Sequence, residues 1–114
     1  MSYATLISSS LPEGMRGALN KWFIEVLPGV YVGTVSKRIR DEVWSAISDW
    51  VRDRADPAVY AAMIESAATE QGFEIRTVGT HAYEVVHLHG LQLVSRQHKE
   101  ASAGFLQDLP DPTW

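Results

Sequence analysis

Residues 28–51 read PGVYVGTVSKRIRDEVWSAISDWV, and this stretch decides the fold. Pro28-Gly29 is turn punctuation. Val30-Tyr31-Val32 is β-branched and aromatic and too short for a helix, so it predicts a strand, closed by Gly33. Ser36 offers a side-chain oxygen to the free N–H groups of a helix start. Beyond it Ile39, Val43, Trp44, Ile47, Trp50 and Val51 recur at helical spacing. They lay one apolar face along a helix that should end near Asp53, before the turn at Asp56-Pro57.

On the N-terminal side, Tyr3 to Ser8 alternates β-formers between polar ends and predicts a first strand. Pro12 marks the first turn of a helix, where its missing N–H is harmless. Met15, Leu19, Trp22, Phe23 and Val26 follow at helical spacing as one buried stripe. Val26-Leu27 and Val30-Val32 around Pro28-Gly29 offer a second reading, a stunted hairpin. On the C-terminal side, Val59 to Ile64 is an apolar run that fits a central strand, and Gly72 to Gly79 alternates like an edge strand. Leu88, Leu91, Leu93 and Val94 predict a strand or hairpin around Gly90. From residue 97 to 114 the chain gains Gly, Ser, Asp and Pro and reads as a tail. The order predicts an α+β two-layer sandwich over residues 1–96, closest to a ferredoxin-like βαββαβ plan with an additional C-terminal strand.

The chain has 114 residues, 46% of them hydrophobic, which suffices for one core. It has no cysteine, so disulfides, thiolate metal sites and cysteine nucleophiles are excluded. No stretch approaches the roughly 18 apolar residues of a membrane helix, and no signal-peptide pattern opens the chain. The expectation is a cytoplasmic protein with no membrane contact. Net charge is −4, unevenly spread. Residues 14–40 hold five basic side chains against Glu25, and residues 41–114 hold five basic against twelve acidic. Such asymmetry points the basic part toward an anionic partner.

Lys37, Arg38 and Arg40 crowd the first turn of the second helix, where the helix dipole disfavours cations. A bound phosphate offsets that, because free N–H groups and basic side chains converge on it. Arg16 lies early in the first helix. In a ferredoxin-like sheet both helices are expected to leave parallel strands, so that their starts share one edge and the four residues form one patch; the alternative is that they are ordinary solvated side chains. His81, His87, His89 and His98 are the metal-ligand types present, and two of them on one strand face need a third ligand that no nearby carboxylate except Glu84 approaches. Ser8-Ser9-Ser10 lacks the surroundings of a nucleophile elbow. Gly29 to Gly33 lacks the Gly-Lys-Ser/Thr of a P-loop. Trp22, Trp44 and Trp50 fall on or beside the apolar faces and belong to the core.

Taken in order, these segments resemble a known family. Leu11-Pro12, Met15 to Leu19, Trp22, Glu25-Val26, Gly29 to Gly33 and Val35-Ser36 resemble CRISPR-associated protein 2 of subtype I-E. So do Ile39-Arg40, Trp44, Ile47, Glu70 to Glu74, Thr77, Gly79 and Gly90 to Ser95. The resemblance implies a ferredoxin-like homodimer set between two dimers of the CRISPR integrase, with duplex DNA across the assembly during spacer acquisition. It gives DNA-gripping roles to Arg16, Arg38 and Arg40. It gives integrase docking to Leu91, Leu93, Val94 and Ser95 and to the tail, with Phe105 and Trp114 as anchors. Many members carry an acid at the end of the first strand, tied to a proposed Mg²⁺-dependent endoribonuclease activity. Ser9 stands there in this chain, and a hydroxyl cannot replace a carboxylate on Mg²⁺. A basic pair of some relatives is replaced around His81, Ala82 and Tyr83. The reading is therefore a non-catalytic adaptor that needs no cofactor. The alternative is a metal-dependent endonuclease working with Mg²⁺ through other carboxylates such as Glu13 or Glu65.

Overall fold

The computed structural model describes residues 2–79 and 83–96. Their elements are β1 (Ser2–Ser8), α1 (Glu13–Leu19), β2 (Ile24–Leu27), β3 (Val30–Val35), α2 (Lys37–Arg54), β4 (Tyr60–Ser66), β5 (Phe73–Gly79), β6 (Tyr83–Leu88) and β7 (Leu91–Arg96). This is an α+β chain. Five strands form an antiparallel sheet in the order β2-β3-β1-β4-β5, and β6-β7 form a second sheet of two. Three strands therefore follow the βαββαβ segment, more than the one additional strand of that plan: the strand read at residues 72–79, and around Gly90 a hairpin rather than a single strand.

Alternation along the strands separates the two faces of the large sheet. Ala4, Leu6, Tyr31, Val35, Ala61, Met63 and Val78 point to the helix side and meet Leu19, Val43, Ile47 and Val51 in one buried cluster. On the other side Thr5, Ile7, Val32, Ala62, Ile64 and Ile75 are only half-buried. The long helix starts where expected: the Ser36 hydroxyl accepts the Ile39 N–H at 3.3 Å. It ends at Arg54, with Ala55 in the left-handed conformation (φ 51°).

The first helix is shorter than its apolar stripe. It stops at Leu19, and hydrogen bonds from the Trp22 and Phe23 N–H groups to the Leu19 carbonyl, at 3.0 and 2.9 Å, turn the chain back to the sheet. Phe23 is buried by that turn, while Trp22 and Val26 are 40% and 51% exposed. Gly33 allows the return, because a β-carbon there would collide with the Trp22 carbonyl and the Phe23 ring. The hairpin reading of residues 26–32 holds: β2 and β3 pair across Pro28-Gly29, with a bulge between Glu25 and Leu27. Trp44 and Trp50 pack on the rim of the core.

One polar group lies deep in this packing. Glu65 follows Ala61 and Met63 on the inner face of β4, and its side chain is 0% exposed. Its Oε2 faces Arg40 Nε of α2 in a buried ion pair, and its Oε1 accepts from Arg76 Nε of β5 at 2.7 Å. Arg76 also donates through Nη2 to Asp41 at 2.7 Å. Desolvation opposes the charge on Arg76, yet its hydrogen bonds to Asp41 and Glu65 outweigh it and raise the pKa.

Removing the buried carboxylate leaves Arg40 without an opposite charge, which typically costs about 3–5 kcal/mol. Glu65→Ala should lower the urea unfolding free energy by about that amount. Arg40→Met, which leaves Glu65 paired with Arg76, should lose less. Equal stability of Glu65→Ala and the unaltered protein would contradict this role.

Candidate nucleic-acid interface

The basic residues singled out in the sequence do not share one environment. β1 leads into α1 and β3 leads into α2, and β1 and β3 run antiparallel. The two helix starts therefore lie at opposite ends of the sheet, and the expected single patch of Arg16 with Lys37, Arg38 and Arg40 is not formed within one chain. The expectation failed because it took the two leading strands as parallel.

At the α1 end, Arg16 lines a cleft of ≈ 260 Å³ with Ser8, Ser9, Ser10, Leu11, Glu25, Pro28, Gly29 and Tyr31. Its Nη2 donates to both Glu25 oxygens, at 3.0 and 3.3 Å, and Glu25 also accepts the Gly29 N–H at 3.1 Å. The Arg16 hydrogen bond, then that of Gly29, holds the Glu25 carboxyl below its ordinary value, and Arg16 is raised in turn by Glu25 and Tyr31. Burial pushes the Tyr31 hydroxyl up. Arg16 stays about half exposed, at 48%, so one side of its guanidinium still faces water.

At the α2 end, Lys37 and Arg38 stand exposed in the first turn. Arg38 meets Glu42 at 3.3 Å, with both side chains mostly in water, a pair worth only about 0.3–0.5 kcal/mol. An approaching phosphate displaces such a pair at little cost. Arg40 differs: it sits on the buried stripe of α2 with Val43, Ile47 and Val51 and is committed to Glu65. It anchors the helix whose first turn carries Lys37 and Arg38. The sequence held the signal, because Arg40 falls in helical phase with that stripe.

The serines at the end of β1 are bound into the sheet. Ser9 Oγ accepts the Tyr60 N–H at 2.9 Å and donates to the Tyr60 carbonyl at 3.2 Å. Ser8 is buried and donates to the Ser10 carbonyl at 3.1 Å. The two histidines expected on one strand face separate: His87 lies in β6, but His89 is in the turn with φ 52°. Among the described residues no three His, Asp or Glu side chains gather to hold a metal. No helix there is long and apolar enough to cross a membrane.

The expected partner-docking residues lie on β7. Leu91 is half-buried opposite Leu88, while Leu93, Val94 and Ser95 are exposed opposite Val86, Val85 and Glu84 of β6. The tail with Phe105 and Trp114, and the positions of His81, Ala82 and His98, fall outside the described residues.

The described residues form a small α+β domain on an antiparallel sheet, with exposed cations at the start of a long helix and hydroxyls at the end of the first strand. The family model described as CRISPR-associated protein (Cas_Cas2CT1978) matches residues 4–93. The chain belongs to this family of CRISPR-associated, Cas2-like proteins, which points to a role in CRISPR adaptation.

Because the Glu25 carboxyl is held below its ordinary value of 4.5, its contribution to stability is full above that pH. It is lost as pH falls through the lower folded-state value. Urea titrations at about pH 6 and about pH 3 should show a larger acid loss for the unaltered protein than for Glu25→Gln. The same acid loss in both proteins would contradict the Arg16–Glu25 assignment.

Proposed function

We propose that this chain is the dimeric adaptor of a CRISPR spacer-acquisition complex. It holds duplex DNA and bridges dimers of the partner integrase, and it does not itself cleave phosphodiesters. Within the family, the observation that carries this reading is the end of β1. Ser9 holds the Tyr60 backbone there with a neutral hydroxyl, and Mg²⁺ favours anionic oxygen. The alternative, a Mg²⁺-dependent endonuclease, would have to use other carboxylates. Glu65 is sealed between Arg40 and Arg76, which weighs against it, and Glu13 stands exposed at the start of α1.

Several features support the finer parts of the proposal. The neighbour order β2-β3-β1-β4 with two helices on one face suits a ferredoxin-like core, widened by β5. The helix-free face, with Ile7, Val32, Ala62 and Ile64 half-buried, suits a second copy in a homodimer. Lys37 and Arg38 suit the DNA backbone, and Arg16 would reach it from the other end of the sheet. Two-fold symmetry would multiply both sites along a duplex. Leu93 and Val94 suit the integrase. Subtype I-E rests on the motif order from Leu11 to Ser95, and a cytoplasmic location follows from DNA as partner.

Gel filtration with light scattering tests the reading on this protein, its cognate integrase and a short duplex. A single peak heavier than either protein with DNA should form, and Lys37→Glu/Arg38→Glu should weaken duplex retention about tenfold or more while leaving stability within about 0.5 kcal/mol. Separate peaks at low salt, or Mg²⁺-dependent cleavage abolished by EDTA, would overturn it in favour of the nuclease.

A further inference from the structure

β6 and β7 make a sheet of their own, and a lone two-stranded hairpin is marginally stable in water. Its turn, His89-Gly90, has both residues in the left-handed region, with φ 52° and 79°, as a two-residue hairpin turn requires. Tyr83, Leu88, Leu93 and Val94 stay exposed and Val85, Val86 and Leu91 are only half-buried, so no apolar residue of the hairpin is fully buried.

What holds it is a pair of glutamines. Gln92 Oε1 accepts the Ile75 N–H at 2.7 Å, and Gln92 Nε2 donates to the Ile75 carbonyl at 3.1 Å. The Gln92 N–H donates to Gln71 Oε1 at 2.7 Å, and Gln71 Nε2 donates to the Gln92 carbonyl at 2.9 Å. Each side-chain amide presents a donor and an acceptor side by side, as the backbone of a paired strand does. β5 is the last strand of the large sheet, so these Ile75 groups point away from β4 and would otherwise meet water. The amide of Gln92 thus takes the place of a further strand at one residue, while Gln71 grips the backbone of Gln92.

We propose that Gln71 and Gln92 are positioning residues, a reciprocal amide clamp that fixes the β6–β7 hairpin on the β5 edge and presents Leu88 and Leu93, which share the face opposite Gln92, to the integrase in one orientation. The docking role rests on the function proposed above; the clamp itself does not. Holding the hairpin before contact removes ordering entropy from the binding step. It also covers part of the β5 edge that could otherwise accept a foreign strand.

The test uses the full chain and a Gln71→Met/Gln92→Met variant, which keeps side-chain length and removes all four hydrogen bonds. Amide exchange followed by NMR reads the clamp at Ile75, and calorimetry with the cognate integrase reads docking. Expected are Ile75 exchange at least about tenfold faster and integrase affinity about tenfold weaker, with β1 exchange and duplex binding unchanged. Gln92→Met alone serves if the double variant unfolds. Fast Ile75 exchange in the unaltered chain overturns the clamp. Lost protection with full integrase affinity overturns its positioning role. A protected Ile75 in a chain that never binds the integrase overturns the docking function while leaving the clamp in place.

Discussion

The ion pairs around Glu65 are the constraint on which the rest of the structure depends. A carboxylate with 0% exposure is tolerable only with its charge matched, and here the matching groups come from two different elements. Arg40 ties the first turns of α2 to β4, and Arg76 ties β5 to both β4 and Asp41. Apolar packing by Val43, Ile47 and Val51 would hold α2 on the sheet but would tolerate small slides of the helix. Opposed charges at fixed positions select one register, which is the best-supported use of buried polar groups.

That register sets where the exposed cations lie. With Arg40 turned inward, Lys37 and Arg38 project from the same turn into water, opposite the end of the sheet that holds Arg16. The inward arginine and the outward pair are thus two halves of one arrangement: an anchor, and the basic surface it aims. At the other end Arg16 is restrained by Glu25 and Tyr31, so its guanidinium is held in place rather than left as a free arm. Two separated basic sites per chain suit an extended polyanion better than a small phosphate ligand.

Much of this could be read from the sequence, and the failures have physical causes. β1, β3 and α2 were legible because alternation, helical period and the Ser36 cap agree. β2 was partly hidden, since Trp22, Phe23 and Val26 continue the helical spacing of Met15 and Leu19. The choice was made by tertiary contact, the close crossing of the Trp22 backbone over Gly33. Glu65 reads in the sequence only as a candidate metal-binding carboxylate, because the apolar run stops at Ile64, although residue 65 keeps the buried phase of 61 and 63. Without that partner in view, Arg40 reads as part of the exposed basic patch. The basic patch was misplaced because strand direction, unlike strand existence, follows from topology. The glutamine clamp left no signal in pattern or composition.

The most direct measurement is spacer integration in vitro: the cognate integrase, a labelled duplex and a repeat-bearing plasmid, with this chain omitted, added, or added with Lys37 and Arg38 reversed in charge. The account predicts that integration requires the chain, falls about tenfold or more on charge reversal and weakens steeply with salt. Integration that is indifferent to omission of the chain, or to reversal of both charges, would contradict it.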